Sequence, residues 1–271
     1  MTRSRFGVQS ICDPEAWTQV QLEEGDFFEQ HWSAVYNAGG LDLKVPPDSV
    51  LYEQDLGRSL AYMGDLLGDL QGMRVLDLGC GPGDFTIFMA RRGALVDAVD
   101  VAPAALEITQ RRAEVNGVTR WVRTHLMPAE RLSFDAETFD WVTGFGLLHH
   151  VDLDALGPEI VRVLKPGGGA IFREPLGDKP PVRWVRRYIP YDAKYHSTHE
   201  YALTTVDLSR LAESFREFRV HEFYLLSSIN RLLGGESSVL FRVLYSLDSV
   251  LLRHVPVLRS WCRYVVVEYG V

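Results

Sequence analysis

Cysteine is scarce in this chain: Cys12, Cys80 and Cys262 are the only three in 271 residues. An odd number without metal-ligand spacing argues against a disulfide framework or a bound metal and fits a reducing, cytoplasmic setting. Basic residues are outnumbered, 28 Lys and Arg against 36 Asp and Glu, for a formal charge of −8. Nucleic-acid binding needs a clustered basic surface, and only local groups such as Arg183, Arg186 and Arg187 occur, which read as a solvated helix face. No uninterrupted apolar run reaches the length of a membrane span, which argues against stable membrane insertion. Arg3 and Arg5 are followed by no apolar core of an export signal. The remaining composition is that of an ordinary globular protein, long enough for a single domain over 1–271 with a large buried core.

The sequence is organised around residues 75–85, Val-Leu-Asp-Leu-Gly-Cys-Gly-Pro-Gly-Asp-Phe. Met73, Val75, Leu76 and Leu78 fit a buried strand, and Gly79, Gly81 and Gly83 end it. Phe85, Ile87, Phe88 and Met89 then fit a helix. A strand, a glycine turn and a helix bring backbone N–H groups close to a ligand at a helix N-terminus, and a Cβ in the turn would block that approach. Asp77 precedes the turn, and a second strand over 94–99 runs into Asp100, placed to accept from two ribose hydroxyls. Cys80 reads as a small turn residue, not a nucleophile.

Strand and helix patterns alternate onward. Helices are expected over 51–70, 103–115 (with Pro103 in the first turn), 153–164 and 205–215, with Thr205 as N-cap. Strands are expected over 119–126, 139–144, 170–172, 218–226 and 264–268, and little regular structure is expected before Glu15. Such alternation makes a parallel, doubly wound sheet with its ligand at the carboxyl ends of the strands.

At these residues the chain resembles the class I S-adenosylmethionine-dependent methyltransferases. The first motif is matched by Asp77-Leu78-Gly79-Cys80-Gly81-Pro82-Gly83. Phe139-Asp140-Trp141-Val142 with Leu148-His149-His150-Val151 is similar to the fourth-strand motif, and Val163-Leu164-Lys165-Pro166-Gly167-Gly168 to the turn before the fifth strand. The resemblance implies an α/β, doubly wound, mostly parallel seven-stranded Rossmann-like sheet, with an N-terminal helical lid (1–70), a cofactor-binding core (71–178) and a substrate cap carrying the last two strands (179–271). It implies S-adenosyl-L-methionine held by Asp77, Gly79, Cys80, Gly81, Asp100, Val101, Ala129, Glu130, Gly144 and Phe145. Pro128 stands where the family's adenine-binding Asp is usual, so adenine recognition falls to Ala129 backbone, Glu130 or apolar packing. A nicotinamide-dependent dehydrogenase is disfavoured by the G-x-G-x-G spacing.

The acceptor is expected to be a small, fairly apolar molecule, with oxygen as first choice of methylated atom and nitrogen or carbon open. His149 and His150 are the nearest candidate bases, each also readable as a hydrogen-bonded loop residue. Glu174 either orients the acceptor or pairs with an arginine. Trp32 and Tyr36, with Phe28 at fourfold spacing on one helix face, are read as lid or core aromatics, and Tyr36 or Phe145 could face a sulfonium. Tyr191, Tyr195 and His196 are second-rank substrate residues; His196 and His199 lack the further ligands of a metal site. The apolar stretch within 228–260 is expected to be buried as a cap over the crevice, with a homodimer contact through 236–254 or a membrane-facing surface as further readings. A cyclase-like enzyme retaining the cofactor and a non-catalytic binding partner are the rival functions.

Overall fold

The computed structural model describes residues 9–10, 16–52, 57–176, 197, 199, 201, 203–232 and 239–271. Eight strands form one sheet: β1 (Gln9–Ser10), β2 (Arg74–Leu78), β3 (Leu95–Asp100), β4 (Val122–Leu126), β5 (Phe139–Phe145), β6 (Leu164–Pro175), β7 (Glu217–Phe223) and β8 (Tyr264–Gly270). Their order is β1-β4-β3-β2-β5-β6-β8-β7. Only β8 runs against its neighbours. The expected seven-stranded sheet is present, extended by the two-residue β1, which pairs with β4 through Gln9↔His125 and Ser10↔Leu126.

Both faces of the sheet are covered, so successive side chains on a strand enter different cores. Val75, Ile171 and Val266 join Phe88, Met89 and Met63 on one face; Leu76, Phe172 and Val267 join Ile160, Leu208 and Tyr269 on the other. The covering helices are α1 (Gln19–Asn37), α2 (Asp48–Leu51), α3 (Gly57–Leu67), α4 (Asp84–Arg91), α5 (Pro103–Val115), α6 (Leu153–Val163), α7 (Thr205–Ala212) and α8 (Val239–His254). Strand order reverses at β2, which pairs with β3 on one side and β5 on the other. Such a switch point opens a crevice at the strands' carboxyl ends.

Several boundaries differ from expectation for local reasons. Thr119–Trp121 is a 3-10 turn, so β4 starts only at Val122. β6 starts at Leu164 because the Lys165–Gly168 stretch bulges between the pairs Phe139↔Leu164 and Trp141↔Gly169, with Gly167 at φ 79°. The helix expected over 51–70 appears as α2 and α3 on either side of residues that lie outside the described ones. Thr204, not Thr205, caps α7, by a reciprocal box with Asp207.

The insertion before β8 corrects an expectation. On α8 only Phe241 and Asp248 are buried, while Val239, Leu240, Val243, Leu247 and Val250 are about half exposed or more. The helix is moored less by its apolar stripe than by Asp248. That carboxylate accepts from the Leu225, Leu226 and Ser227 N–H groups at 2.7–3.1 Å and from the Ser227 hydroxyl at 2.6 Å. Asp248→Ala would leave those donors orphaned. We expect it to lower the unfolding free energy by about 3 kcal/mol in urea titrations, and Asp248→Asn, which keeps one acceptor oxygen, to lower it by less.

Candidate functional site

The turn after β2 shapes the crevice. Gly79, Gly81 and Gly83 all have positive φ (60°, 52° and 82°), a region that L side chains avoid. A Cβ on Gly79 would come within 2.9 Å of Leu147 Cδ1. The Gly81 N–H donates to Asp100 Oδ2 and the Ala102 N–H to Oδ1, both at 2.9 Å. Burial pushes the Asp100 pKa up, while the N–H groups of Ala102, Gly81 and Val101 pull it back. Each Asp100 oxygen keeps lone pairs for a diol in the crevice.

The crevice encloses about 330 Å³, within the range of small-molecule sites. Its floor is Asp77, Gly79, Cys80, Gly81, Asp100 and Val101; the β4 and β5 ends add Met127, Ala129, Glu130, Phe145, Leu147 and His150. The opposite wall is α1, through Gln21, Glu24, Phe28 and Trp32. α1 is held close by Gly25, where a Cβ would stand 3.1 Å from Val101 O. Glu29 Oε2 also accepts from the Ala104 N–H at 2.6 Å. Trp32 packs beside the turn, its Cζ2 being 3.4 Å from where a Gly81 Cβ would be.

Other expected site residues do different work. Tyr36 is off the crevice: its hydroxyl accepts from Arg111 Nη1 at 3.0 Å, and the guanidinium lies over its ring. Each four-residue helical step over-rotates by about 40°, so a stripe that starts at Phe28 has turned toward α5 by Tyr36. Gly144 does not line the crevice; it makes room for Phe172, whose ring would lie 2.9 Å from a Cβ there. Phe145 lines it, but its ring stacks on Phe85 at 4.3 Å and carries the Arg173 guanidinium at 4.1 Å, leaving Phe28 and Trp32 as the aromatics for a cation. Asp77 faces the crevice with Oδ2 held by the Thr86 hydroxyl at 2.5 Å and Oδ1 by that of Thr143 at 3.2 Å. Cys80 is buried and its thiol pKa is pushed up by that burial, as suits a turn residue.

Glu174, expected to orient an acceptor or to pair with an arginine, is wholly buried and instead collects donors from the loop after β5. Oε1 accepts from the Leu147 and Leu148 N–H groups at 2.8 and 3.0 Å, and Oε2 lies 2.8 Å from His149 Nδ1. It ties down the loop after β5, and His149 with it. His149 does not line the crevice, whereas His150 does. His150 Nδ1 lies 3.1 Å from Glu24 Oε2 and 3.3 Å from the Ser197 hydroxyl.

Glu24 is the residue that sequence reasoning missed. It is 5% exposed, and it sits one four-residue step before Phe28 and two before Trp32. A carboxylate extending an aromatic stripe was the available signal. Tyr191, Tyr195 and His196 lie outside the described residues. His199 pairs with Glu23 at 2.6 Å, and among the described residues no group of three or more His, Cys, Asp or Glu could hold a metal ion.

A family model described as a methyltransferase domain matches residues 75–168, the stretch that builds this crevice. A ubiquinone biosynthesis O-methyltransferase from Methylocella silvestris is 37% identical over 150 residues, 52% of this chain and 56% of its own length. One of the same name from Cereibacter sphaeroides is 31% identical over 193 residues, covering 67% of this chain and 74% of that one. The chain belongs to the class I S-adenosylmethionine-dependent methyltransferases. It spans about half the length (56%, 46% and 47%) of the first curated relatives that it matches. A solved structure of geranyl diphosphate C-methyltransferase from Streptomyces coelicolor A3(2) shares the fold, with TM-score 0.60 at 16% identity over 93% of this chain and 98% of that one.

The crevice fits this methyltransferase family's cofactor: a glycine cradle that a Cβ would fill, a ribose-type carboxylate at Asp100, and apolar walls. Where the family's usual Asp is replaced by Pro128, Glu130 lines the crevice. Burial pushes its pKa up, against hydrogen bonds that include one from Gln21.

Asp77 gives this site a stability signature. Burial raises its pKa to about 7, against the Thr86 and Thr143 hydrogen bonds that lower it. Between about pH 4 and 7 the folded chain therefore keeps a proton that the unfolded chain has released, and stability falls as pH rises through that window. Asp77→Asn removes this loss. Its unfolding free energy relative to wild type should be higher at pH 8 than at pH 5 by on the order of 2 kcal/mol in paired denaturant titrations.

Proposed function

We propose that this protein transfers a methyl group from S-adenosylmethionine to an oxygen of a small, fairly apolar acceptor, with His150 as the general base. The observation that carries this reading is that His150, alone of the two adjacent histidines, lines the same crevice as Asp100 and the glycine turn. The names of the Methylocella and Cereibacter relatives, both O-methyltransferases, support oxygen.

When bound, S-adenosylmethionine supplies an electrophilic methyl on a sulfonium. Asp100 accepts from the ribose hydroxyls. The turn at Gly79–Gly81 lets backbone approach the amino-acid end, and Ala129 with Glu130 bounds the adenine. Phe28 and Trp32 offer aromatic faces to the positive sulfonium and exclude water. His150 would take the acceptor's O–H proton as that oxygen receives the methyl group, with S-adenosylhomocysteine as the leaving product. Holding donor and acceptor in line supplies much of the acceleration. In this reading α1 is the lid of the site.

The deciding experiment incubates the full chain with methyl-labelled S-adenosylmethionine and a small-molecule extract of the source cells. Label is expected in an organic-extractable product with a new O-methyl group; label in macromolecules, or on carbon or nitrogen, would overturn the acceptor assignment. Asp100→Ala should weaken S-adenosylhomocysteine binding by about 10- to 100-fold in calorimetry, for the loss of charge-assisted hydrogen bonds. His150→Gln should lower kcat by about 100-fold or more, with cofactor affinity unchanged.

The exposed apolar face of α8 lines no part of the crevice among the described residues, which favours the contact reading over the cap. We place a contact between two copies of the chain there. Leu247→Glu should convert a dimer to a monomer in light scattering, and a wild-type monomer would remove this assignment.

A further inference from the structure

Two glutamate–histidine pairs stand side by side at the crevice, the rings of His149 and His150 lying 4.2 Å apart. They differ in what their carboxylates have left to give. Both oxygens of Glu174 are committed, to two backbone N–H groups and to His149. Glu24 is almost as deeply buried, yet neither of its oxygens accepts an aligned hydrogen bond among the described residues. His150 Nδ1 lies 3.1 Å from its Oε2. A buried carboxylate with so little donated to it is expensive. Here it faces the substrate crevice beside the proposed base.

Glu24 is nevertheless held in its charged form. Burial alone would raise its pKa, but His150 and Ser197 outweigh that and bring it below the usual carboxylate range. With Nδ1 facing Glu24 and Ser197, Nε2 is the imidazole nitrogen left to take a proton from an acceptor. When it does, the ring becomes a cation 3.1 Å from a fixed negative charge. Catalytic hydrogen bonds are often loose before substrate binds and tighten in the reacting complex, which accounts for the poor alignment here.

We infer that Glu24, carried by α1, is the positioning residue for His150: it holds the Nδ1–H tautomer and offsets the imidazolium charge, so that the base is complete only while α1 covers the crevice. This inference rests on the reading of His150 as the base. The contacts of α1 suit the role. Adjacent Glu23 grips His199 from the segment before α7, so two neighbouring carboxylates fasten this helix to two separate parts of the chain. Among the described residues, charged groups near His150 include Glu24 on α1 and the His149–Glu174 pair beside it, with Glu130 lining the same crevice and His199 acting on Glu24. Glu24 is the carboxylate of this set that both lines the crevice and reaches His150.

The test reads the His150 ring by 15N NMR on the full chain saturated with S-adenosylhomocysteine, its signals assigned by loss in His150→Gln. The neutral wild-type ring should carry its proton on Nδ1, and Glu24→Leu, which removes the acceptor facing that nitrogen, should shift the tautomer population toward Nε2–H. Glu23→Gln, which releases His199 but keeps Glu24, should leave the wild-type tautomer. Glu24→Asp, with the carboxylate drawn back, should give an intermediate population; it decides the matter should the Leu variant fail to fold. An unchanged tautomer in either Glu24 variant, an equal shift in Glu23→Gln, or a wild-type proton on Nε2 would overturn the inference. Methyl transfer that survives His150→Gln would overturn the base itself, an outcome read separately from the ring's tautomer.

Discussion

A carboxylate taken out of water must find donors, and four buried ones surround this crevice: Asp77, Asp100, Glu174 and Glu24. Three of them, Asp77, Asp100 and Glu174, each fix a different part of the site through the donors they collect, while Glu24 faces His150 with none aligned on it. Asp77 draws the Thr86 hydroxyl from α4 and that of Thr143 from β5, tying the strand before the turn to both neighbours. Asp100 draws the Gly81 N–H, so the end of β3 sets the shape of the turn after β2. Glu174, at the end of β6, pulls in three groups of the loop after β5. The strand ends are thus laced together by carboxylates, and the cost of leaving any of them unmet keeps the crevice in one shape.

The lacing explains which parts could be read from the sequence. The glycine turn, Asp100 and the alternation of strands and helices are local signals, set by backbone angles and a period of two or 3.6 residues. They sufficed for the mostly parallel, doubly wound sheet and for the residues gathered at its carboxyl ends. Partnerships across the sheet left no local trace. Glu174 looks the same in sequence whether it faces a substrate or accepts from Leu147 and Leu148, and nothing near His149 or His150 tells which one enters the crevice. Tyr36 illustrates another limit: fourfold spacing marks a helix face over two turns, but the drift of an α-helix carries the third member elsewhere.

Burial of the insertion was overestimated for a related reason. An apolar helix pattern states what a face could cover, and says nothing of how much surface the neighbouring elements offer. On α8 that surface is met by Phe241 and by the polar anchor at Asp248, whose four donors come from the segment after β7. The helix is held by one buried charge and keeps half of its apolar residues exposed.

The contrast between the paired histidines ties fold to chemistry. Both lie in one loop with Nδ1 turned to a glutamate, so either would make an oriented base if orientation were all that was needed. Glu174 belongs to the sheet, and its pair with His149 involves no residue of α1. Glu24 belongs to a helix that packs over the crevice, and its pair with His150 exists only while that helix is docked. A general base useful in a water-excluding site has to be strongest when water has been shut out. In the proposed reading the carboxylate of the base sits on the covering helix, which meets this requirement and leaves the neighbouring histidine as a strut.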